Sequence, residues 1–214
     1  MKAFIYTGGA VYPDNITERP KSDDLRIAAD SGYKNAEALG ERVDILVGDF
    51  DSLGDGVKNI PESVEKITVP KEKDETDTQL AVNIALSKGA DDIVIIGGLD
   101  GRIDHALSNM AILEAMHESK VHCVITNGAN RVRFIKSGST LIARSGFDYL
   151  SLIAADEVVK GVSIEGCKYP LSNARLSRKF HYAVSNEIIQ NCALISVKRG
   201  GLFIIESRDV KRYF

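Results

Sequence analysis

Short apolar, β-branched runs punctuate the first half of the chain at residues 25–28, 43–47, 64–69 and 93–96. Such runs predict buried strands of a parallel sheet, and the opening Met1-Lys2-Ala3-Phe4-Ile5-Tyr6 reads as a further strand. Between them the period changes to that of a helix. Over 77–88, Leu80, Ala81, Ile84 and Ala85 share one face, and over 103–114, Ile103, Ala106, Leu107 and Met110 do. Alternating strands and helices imply a parallel sheet covered on both sides. From about Arg131 the helical period disappears. Strand-like runs at 132–136, 140–143, 149–154, 158–164, 193–197 and 202–206 are separated by glycine turns, which predicts a small antiparallel sandwich or barrel. The fold class expected is therefore α/β, a mostly parallel sheet with flanking helices, followed by an all-β sandwich. The turn-forming stretch Thr126-Asn127-Gly128-Ala129-Asn130 separates expected domains at 1–127 and 131–214.

Charge narrows the choice of ligands. Lys and Arg total 27 against 30 Asp and Glu, a formal net charge of −3, so no long-range field draws in a nucleic acid. A nucleotide can still be held locally if a divalent cation neutralises phosphates and nearby aspartates together. No apolar run approaches the ~18 residues of a membrane span, and the N-terminal segment lacks the pattern of a signal peptide. Cys123, Cys167 and Cys192 are odd in number and widely spaced, which fits reduced, cytoplasmic residence.

Four chemistry-bearing signatures follow four of the predicted strands: Ala28-Ala29-Asp30-Ser31-Gly32, Gly48-Asp49-Phe50-Asp51-Ser52, Lys73-Asp74-Glu75-Thr76-Asp77, and Gly97-Gly98-Leu99-Asp100-Gly101-Arg102-Ile103-Asp104-His105. In open α/β sheets, ligands bind beyond the carboxyl ends of the strands. One crevice is thus expected to gather all four. Asp49 and Asp51, two apart on extended chain, point the same way, and a hard cation relieves their repulsion. An Asp-rich turn is the plainer alternative. Lys71 and Lys73 can meet phosphate oxygens or belong to a solvated charge run. Gly98 and Gly101 permit close approach of a ligand to backbone, and Arg102 offers a planar fork to phosphate. Thr76-Asp77-Thr78-Gln79 matches a helix capping box, and Asp77 in the first turn suits the helix dipole. His105 has Asn109 rather than a metal ligand at i+4 and reads as structurally neutral, while Gly8-Gly9 can line a nucleotide. In the second half, Tyr169-Pro170-Leu171 and Val184-Ser185-Asn186-Glu187 read as turns between strands.

Together these blocks, with Asp44-Ile45-Leu46-Val47 before Gly48, Gly166-Cys167-Lys168-Tyr169-Pro170-Leu171 and Ser185-Asn186-Glu187, resemble thiamine pyrophosphokinase over nearly the whole chain. The resemblance implies an ATP-binding α/β domain and a β-sandwich domain that binds thiamine and dimerises. It also implies a homodimer with active sites at the subunit interface. By matching motif positions, Asp49, Asp51 and Asp77 look like a magnesium and polyphosphate site. Asp30, Arg102 and Asp104 look like nucleotide or phosphate contacts, with Gly32, Lys73, Gly98 and Gly101 beside them. Ser185 and Asn186 look like thiamine contacts. Asp100 departs from the small residue of the family pattern and receives no role, and the chain has no Trp to stack on substrate.

The reaction so implied moves the β,γ-diphosphate of ATP to the primary hydroxyl of thiamine and releases AMP, with Asp77 or Asp104 accepting the hydroxyl proton. Two rival readings are a non-catalytic nucleotide or thiamine sensor and a magnesium-dependent phosphohydrolase. A degenerate sensor is expected to have lost acidic positions that this chain keeps. A hydrolase has no need of the Ser-Asn acceptor segment.

Overall fold

The computed structural model describes residues 1–51, 60–70, 72 and 74–209. The chain divides into two compact units, Met1–Gly128 and Ala129–Phe214.

The first unit is a six-stranded sheet in the order β6-β5-β1-β2-β3-β4, where β1 is Lys2–Tyr6, β2 Leu25–Ala29, β3 Ile45–Gly48, β4 Glu65–Thr68, β5 Asp92–Ile96 and β6 His122–Thr126. Every neighbouring pair is parallel. The central runs are buried from end to end, with Ile5, Ile27, Leu46, Ile93 and Ile95 at 0 % exposure. That is why their sequences are continuously apolar. β4 differs from the expected buried strand. It is the sheet edge, with Glu65, Lys66 and Thr68 exposed, and charged side chains there discourage pairing with another chain. Because β1 to β4 run outward on one side and β5 and β6 on the other, the order reverses between β1 and β5. Connections leave that point in opposite directions and open a crevice at the strand ends.

The helices are α1 (Gly32–Ala38), α2 (Asp77–Ser87) and α3 (Ile103–Glu118). The Thr76 hydroxyl accepts a hydrogen bond from the Gln79 N–H at 3.1 Å, capping α2. The Gln79 side chain turns instead to Asn83, at 3.1 Å, so only half of the capping box forms. The buried faces are rotated from those expected. In α2 the core side is Thr78, Ala81, Val82 and Ala85. In α3 it is Asn109, Ile112, Leu113 and Met116, leaving Ile103 and Leu107 exposed at 73 % and 60 %.

The second unit is antiparallel. Two long strands, β7 (Asn130–Ala143) and β11 (Cys192–Ser207), pair along most of their lengths; β11 also pairs with β8 (Tyr149–Ala154) and β9 (Val158–Glu165), and β9 with β10 (Leu171–Ser177). The register of β11 against β7 slips between Val197 and Gly201. Before the slip β11 pairs with β9, and after it with β8. One strand thus serves both layers around a core that includes Ile142, Leu152, Val159, Val162, Ile195 and Leu202. The three cysteines are free, and burial pushes the Cys123 thiol up to about 12.

Candidate active site

A cleft of about 350 Å³ opens at the reversal point of the parallel sheet. Its walls are the turn after β1 (Thr7, Gly8, Gly9), the end of β2 (Ala29, Asp30, Ser31), the start of α2 (Thr76, Asp77, Thr78), and the β5–α3 turn with the first two turns of α3. Three of the four signatures thus meet here, joined by the Gly8-Gly9 pair. Asp49 and Asp51 follow the neighbouring strand and do not line it. Gly48, just before them, packs closely on Asp30: a Cβ placed there would stand 3.1 Å from that of Asp30.

Asp30 has a left-handed backbone, φ 47°, and one buried carboxylate oxygen, Oδ1, with no hydrogen-bond partner among the described residues. An orphaned buried carboxylate oxygen is costly unless a cation or a donor meets it. Asp49 closes its own loop, its Oδ1 accepting from the Asp51 N–H at 3.0 Å. Among the described residues no three His, Cys, Asp or Glu side chains form a ready-made metal cage. That donor set still fits magnesium, which takes one or two carboxylates and fills its octahedron with waters and substrate phosphates.

Gly32, expected beside the nucleotide, does not line the cleft and packs against the end of β1. A Cβ there would lie 2.0 Å from the Tyr6 carbonyl oxygen and 2.7 Å from the Thr7 Cα. The residue lets α1 pack directly on the end of β1. Gly98 and Gly101 line the cleft; Gly98 has φ 68° and a Cβ would meet the Asn109 amide nitrogen at 2.4 Å. Lys73 lies outside the described residues.

Arg102 lines the cleft just before α3, and its fork grips Asp104, Nε to Oδ1 at 3.1 Å and Nη2 to Oδ2 at 2.6 Å. These bonds hold the Asp104 carboxyl below, and the Arg102 guanidinium above, their ordinary values. Asp104 itself is outside the cleft wall. His105 and Asp100 are in it, although the sequence marked neither. Their position, Asp100 inside the glycine turn and His105 in the first turn of α3, was the available signal. Sequence reasoning also missed Thr7 and Thr78, whose hydroxyls meet at 2.8 Å, and Asn35 and Asn109, which bond to the glycine turns.

In the second unit Ser185 is exposed, with φ 56° and its N–H donating to the Ser151 hydroxyl at 3.0 Å. Its neighbour is enclosed and hydrogen-bonded to backbone. Asn186 is 4 % exposed. Its oxygen accepts from the Tyr169 and Glu187 N–H groups, both at 2.9 Å, and its Nδ2 donates to the Tyr169 carbonyl at 2.8 Å. The amide is spent on backbone, leaving one N–H for any ligand. The segment is also no hairpin tip, since Asn186 and Leu150 exchange backbone bonds at 3.0 and 2.7 Å. Tyr169, held by that amide, is exposed at 59 %.

Residues 17–125 match the family described as thiamin pyrophosphokinase, catalytic domain, and residues 139–202 match its vitamin B1 binding domain. The chain belongs to the thiamin pyrophosphokinase family. A thiamine pyrophosphokinase from Bacillus subtilis (strain 168) is 31 % identical over 165 residues, covering 76 % of this chain and 77 % of the relative. The crystal structure of thiamine pyrophosphokinase from Bacillus subtilis superposes with a TM-score of 0.87 at 27 % identity, covering 98 % of this chain and 100 % of the other. That of the Geobacillus thermodenitrificans enzyme gives 0.85 at 26 %, covering 99 % of each. All of the cleft wall except Thr7, Gly8 and Gly9 lies in the part of the chain matched to the thiamin pyrophosphokinase catalytic domain, and Ser185 and Asn186 lie in the part matched to its vitamin B1 binding domain. No described helix is long and apolar enough to cross a membrane.

Proposed function

We propose that this enzyme transfers the β,γ-diphosphate of ATP to the primary hydroxyl of thiamine, with the polyphosphate lying in the cleft at the sheet reversal. ATP-dependent formation of thiamine diphosphate follows from its family. The observation that carries the placement is the convergence of two glycine turns, the start of α2, Asp77 and Arg102 on one cleft, because backbone N–H groups at turns and helix starts favour phosphate.

The hydroxyl oxygen forms a bond to the β-phosphorus while the bridge to the α-phosphate breaks, so AMP leaves with that electron pair. Arg102 offsets charge developing on the transferring group. Its Nε and one Nη2 hydrogen are committed to Asp104, which leaves three N–H donors for phosphate oxygens. Asp104 is thus a positioning residue for Arg102: both its oxygens are engaged by the guanidinium and it lies outside the cleft wall. Asp77 lines the cleft and takes the hydroxyl proton in this assignment. Magnesium would be held by carboxylates of the Asp30, Asp49, Asp51 and Asp77 group and would supply neutralisation of phosphate charge. Thiamine binds the second unit beside Ser185, and the working form is a homodimer.

Incubation with ATP, magnesium and thiamine should yield AMP and thiamine diphosphate in equal amounts. ADP as the nucleotide product would refute diphosphate transfer, and an absence of turnover would favour a sensor. Asp49→Asn and Asp51→Asn are expected to fold normally yet require about tenfold more magnesium for half-maximal rate, each having lost a charge near the cation. Parent-like magnesium dependence in both would remove them from the metal site. Light scattering at micromolar concentration should give twice the 23.3 kDa chain mass; a single chain mass under turnover conditions would exclude the dimer.

A further inference from the structure

The two glycine turns of the cleft are tied down by side-chain amides. Asn35, on α1, donates through Nδ2 to the carbonyls of Thr7 at 2.7 Å and Gly9 at 3.0 Å. Asn109, on α3 and 4 % exposed, donates through Nδ2 to the Gly98 carbonyl at 3.0 Å. The turns are also joined to each other, since the Gly98 N–H donates to the Gly8 carbonyl at 2.9 Å. From α2, Thr78 meets Thr7 hydroxyl to hydroxyl at 2.8 Å. Each of three helices therefore contributes one polar side chain to fix this short stretch of backbone.

The carbonyls of Thr7, Gly8, Gly9 and Gly98 all have partners in these ties. By contrast, among the described residues the N–H groups of Gly8, Gly9, Asp100 and Gly101, all in the cleft wall, donate to no protein acceptor. Such donors suit an anion. In a trans peptide the carbonyl and the following N–H point in opposite directions, and no cis peptide occurs here. Holding the Thr7 carbonyl towards α1 thus fixes the Gly8 N–H on the other side. Holding the Gly98 carbonyl towards α3 fixes the turn that leads to Asp100 and Gly101. Glycine turns without side chains of their own rotate readily, and a peptide flip would present a carbonyl oxygen to phosphate.

We propose that Asn35 and Asn109 are positioning residues for the polyphosphate, keeping carbonyl oxygens out of the cleft and N–H donors turned into it. The inference rests on the placement of ATP argued above. Asn35 lies outside the cleft wall and Asn109 within it; in both, the Nδ2 donor is engaged by turn carbonyls, so each acts through the backbone it holds.

The test is Asn109→Asp and Asn35→Asp, which keep side-chain shape but replace the donor by a carboxylate oxygen facing a carbonyl. Each is expected to raise KM for ATP about ten- to hundredfold and to weaken inhibition by inorganic tripolyphosphate in parallel. KM for thiamine should stay within twofold, as should the binding of adenosine, which has no phosphate. A fall in melting temperature with an unchanged KM for ATP would show a merely structural role and overturn the proposal, as would equal losses for ATP and thiamine. Should Asn109→Asp fail to fold, the half-buried Asn35 site decides alone. Arg102→Ala separates the two levels: if it weakens tripolyphosphate inhibition and the asparagine variants do not, the tethers fail while the placement stands. If none of the three alters it, the placement itself falls.

Discussion

Arg102→Ala is expected to lower kcat by about 10²- to 10³-fold, the usual cost of removing one preorganised donor from a developing charge. The guanidinium sits at the cleft wall with its fork already steered by Asp104, 2.6 Å away. Its orientation therefore precedes substrate, and none of its benefit is spent on ordering the side chain during reaction. The fold does not depend on it: the side chain is 74 % exposed and precedes the first residue of α3. The melting temperature should stay within about 2 °C of the parent. Arg102→Lys keeps the charge but loses the planar fork, and should fall between the two. The measurement is the initial rate of AMP release at saturating ATP and thiamine. A kcat within threefold of the parent for Arg102→Ala would place the transferring phosphate elsewhere.

Much of the architecture was legible because burial writes itself into the sequence where one rule acts alone. The four central strands of the parallel sheet are covered on both faces, so their apolar runs need no knowledge of partners to be recognised. Helix faces are another matter. In α3 the apolar positions wrap more than half the cylinder, and Ile103, Ala106, Leu107 and Met110 satisfy the helical period as well as the true core side does. Only the placement of the sheet chooses between them, and it chooses the side that includes Asn109. The second unit shows the same limit. The runs at 193–197 and 202–206 look like two strands split by Arg199-Gly200-Gly201, but the glycines mark a register slip inside one strand that changes partners. Short, polar α1 carried no periodic signal at all.

The site divides along similar lines. Acidic and glycine-rich blocks announce chemistry through residue type, which is why Asp30, Asp77, Gly98 and Arg102 could be named from spacing and proved to share one cleft. Asparagines are ambiguous, because an amide serves a ligand and a backbone equally well. Asn186 resembles a substrate contact, yet its amide binds the Tyr169 backbone in both directions. Asn109 drew notice only as a residue that is not a metal ligand, yet it ties down the Gly98 turn. Telling these uses apart requires the three-dimensional position of a carbonyl, which no local pattern encodes.

The largest loss of stability is expected at Glu206, whose side chain is 2 % exposed in β11. It accepts from Arg133, and from the Ser145 hydroxyl at 2.9 Å, while the Arg131 guanidinium, itself 5 % exposed, stands 3.6 Å away. Arg131 also lies over the Phe147 ring, 4.8 Å from its centroid, as does Arg208 at 4.5 Å. Glu206 is thus the carboxylate shared by Arg131 and Arg133. Glu206→Gln nearly preserves volume but strands buried positive charge, and breaking a buried pair from one side costs about 3–5 kcal/mol. For a chain of this size that corresponds to a fall in melting temperature of about 6–20 °C. Arg133→Gln should cost less: Arg133 is 25 % exposed, and its loss leaves Glu206 still facing Arg131. Thermal unfolding followed by circular dichroism tests the ranking. A drop below about 3 °C for Glu206→Gln, or a larger drop for Arg133→Gln, would mean that water or rearranged neighbours compensate the arginines.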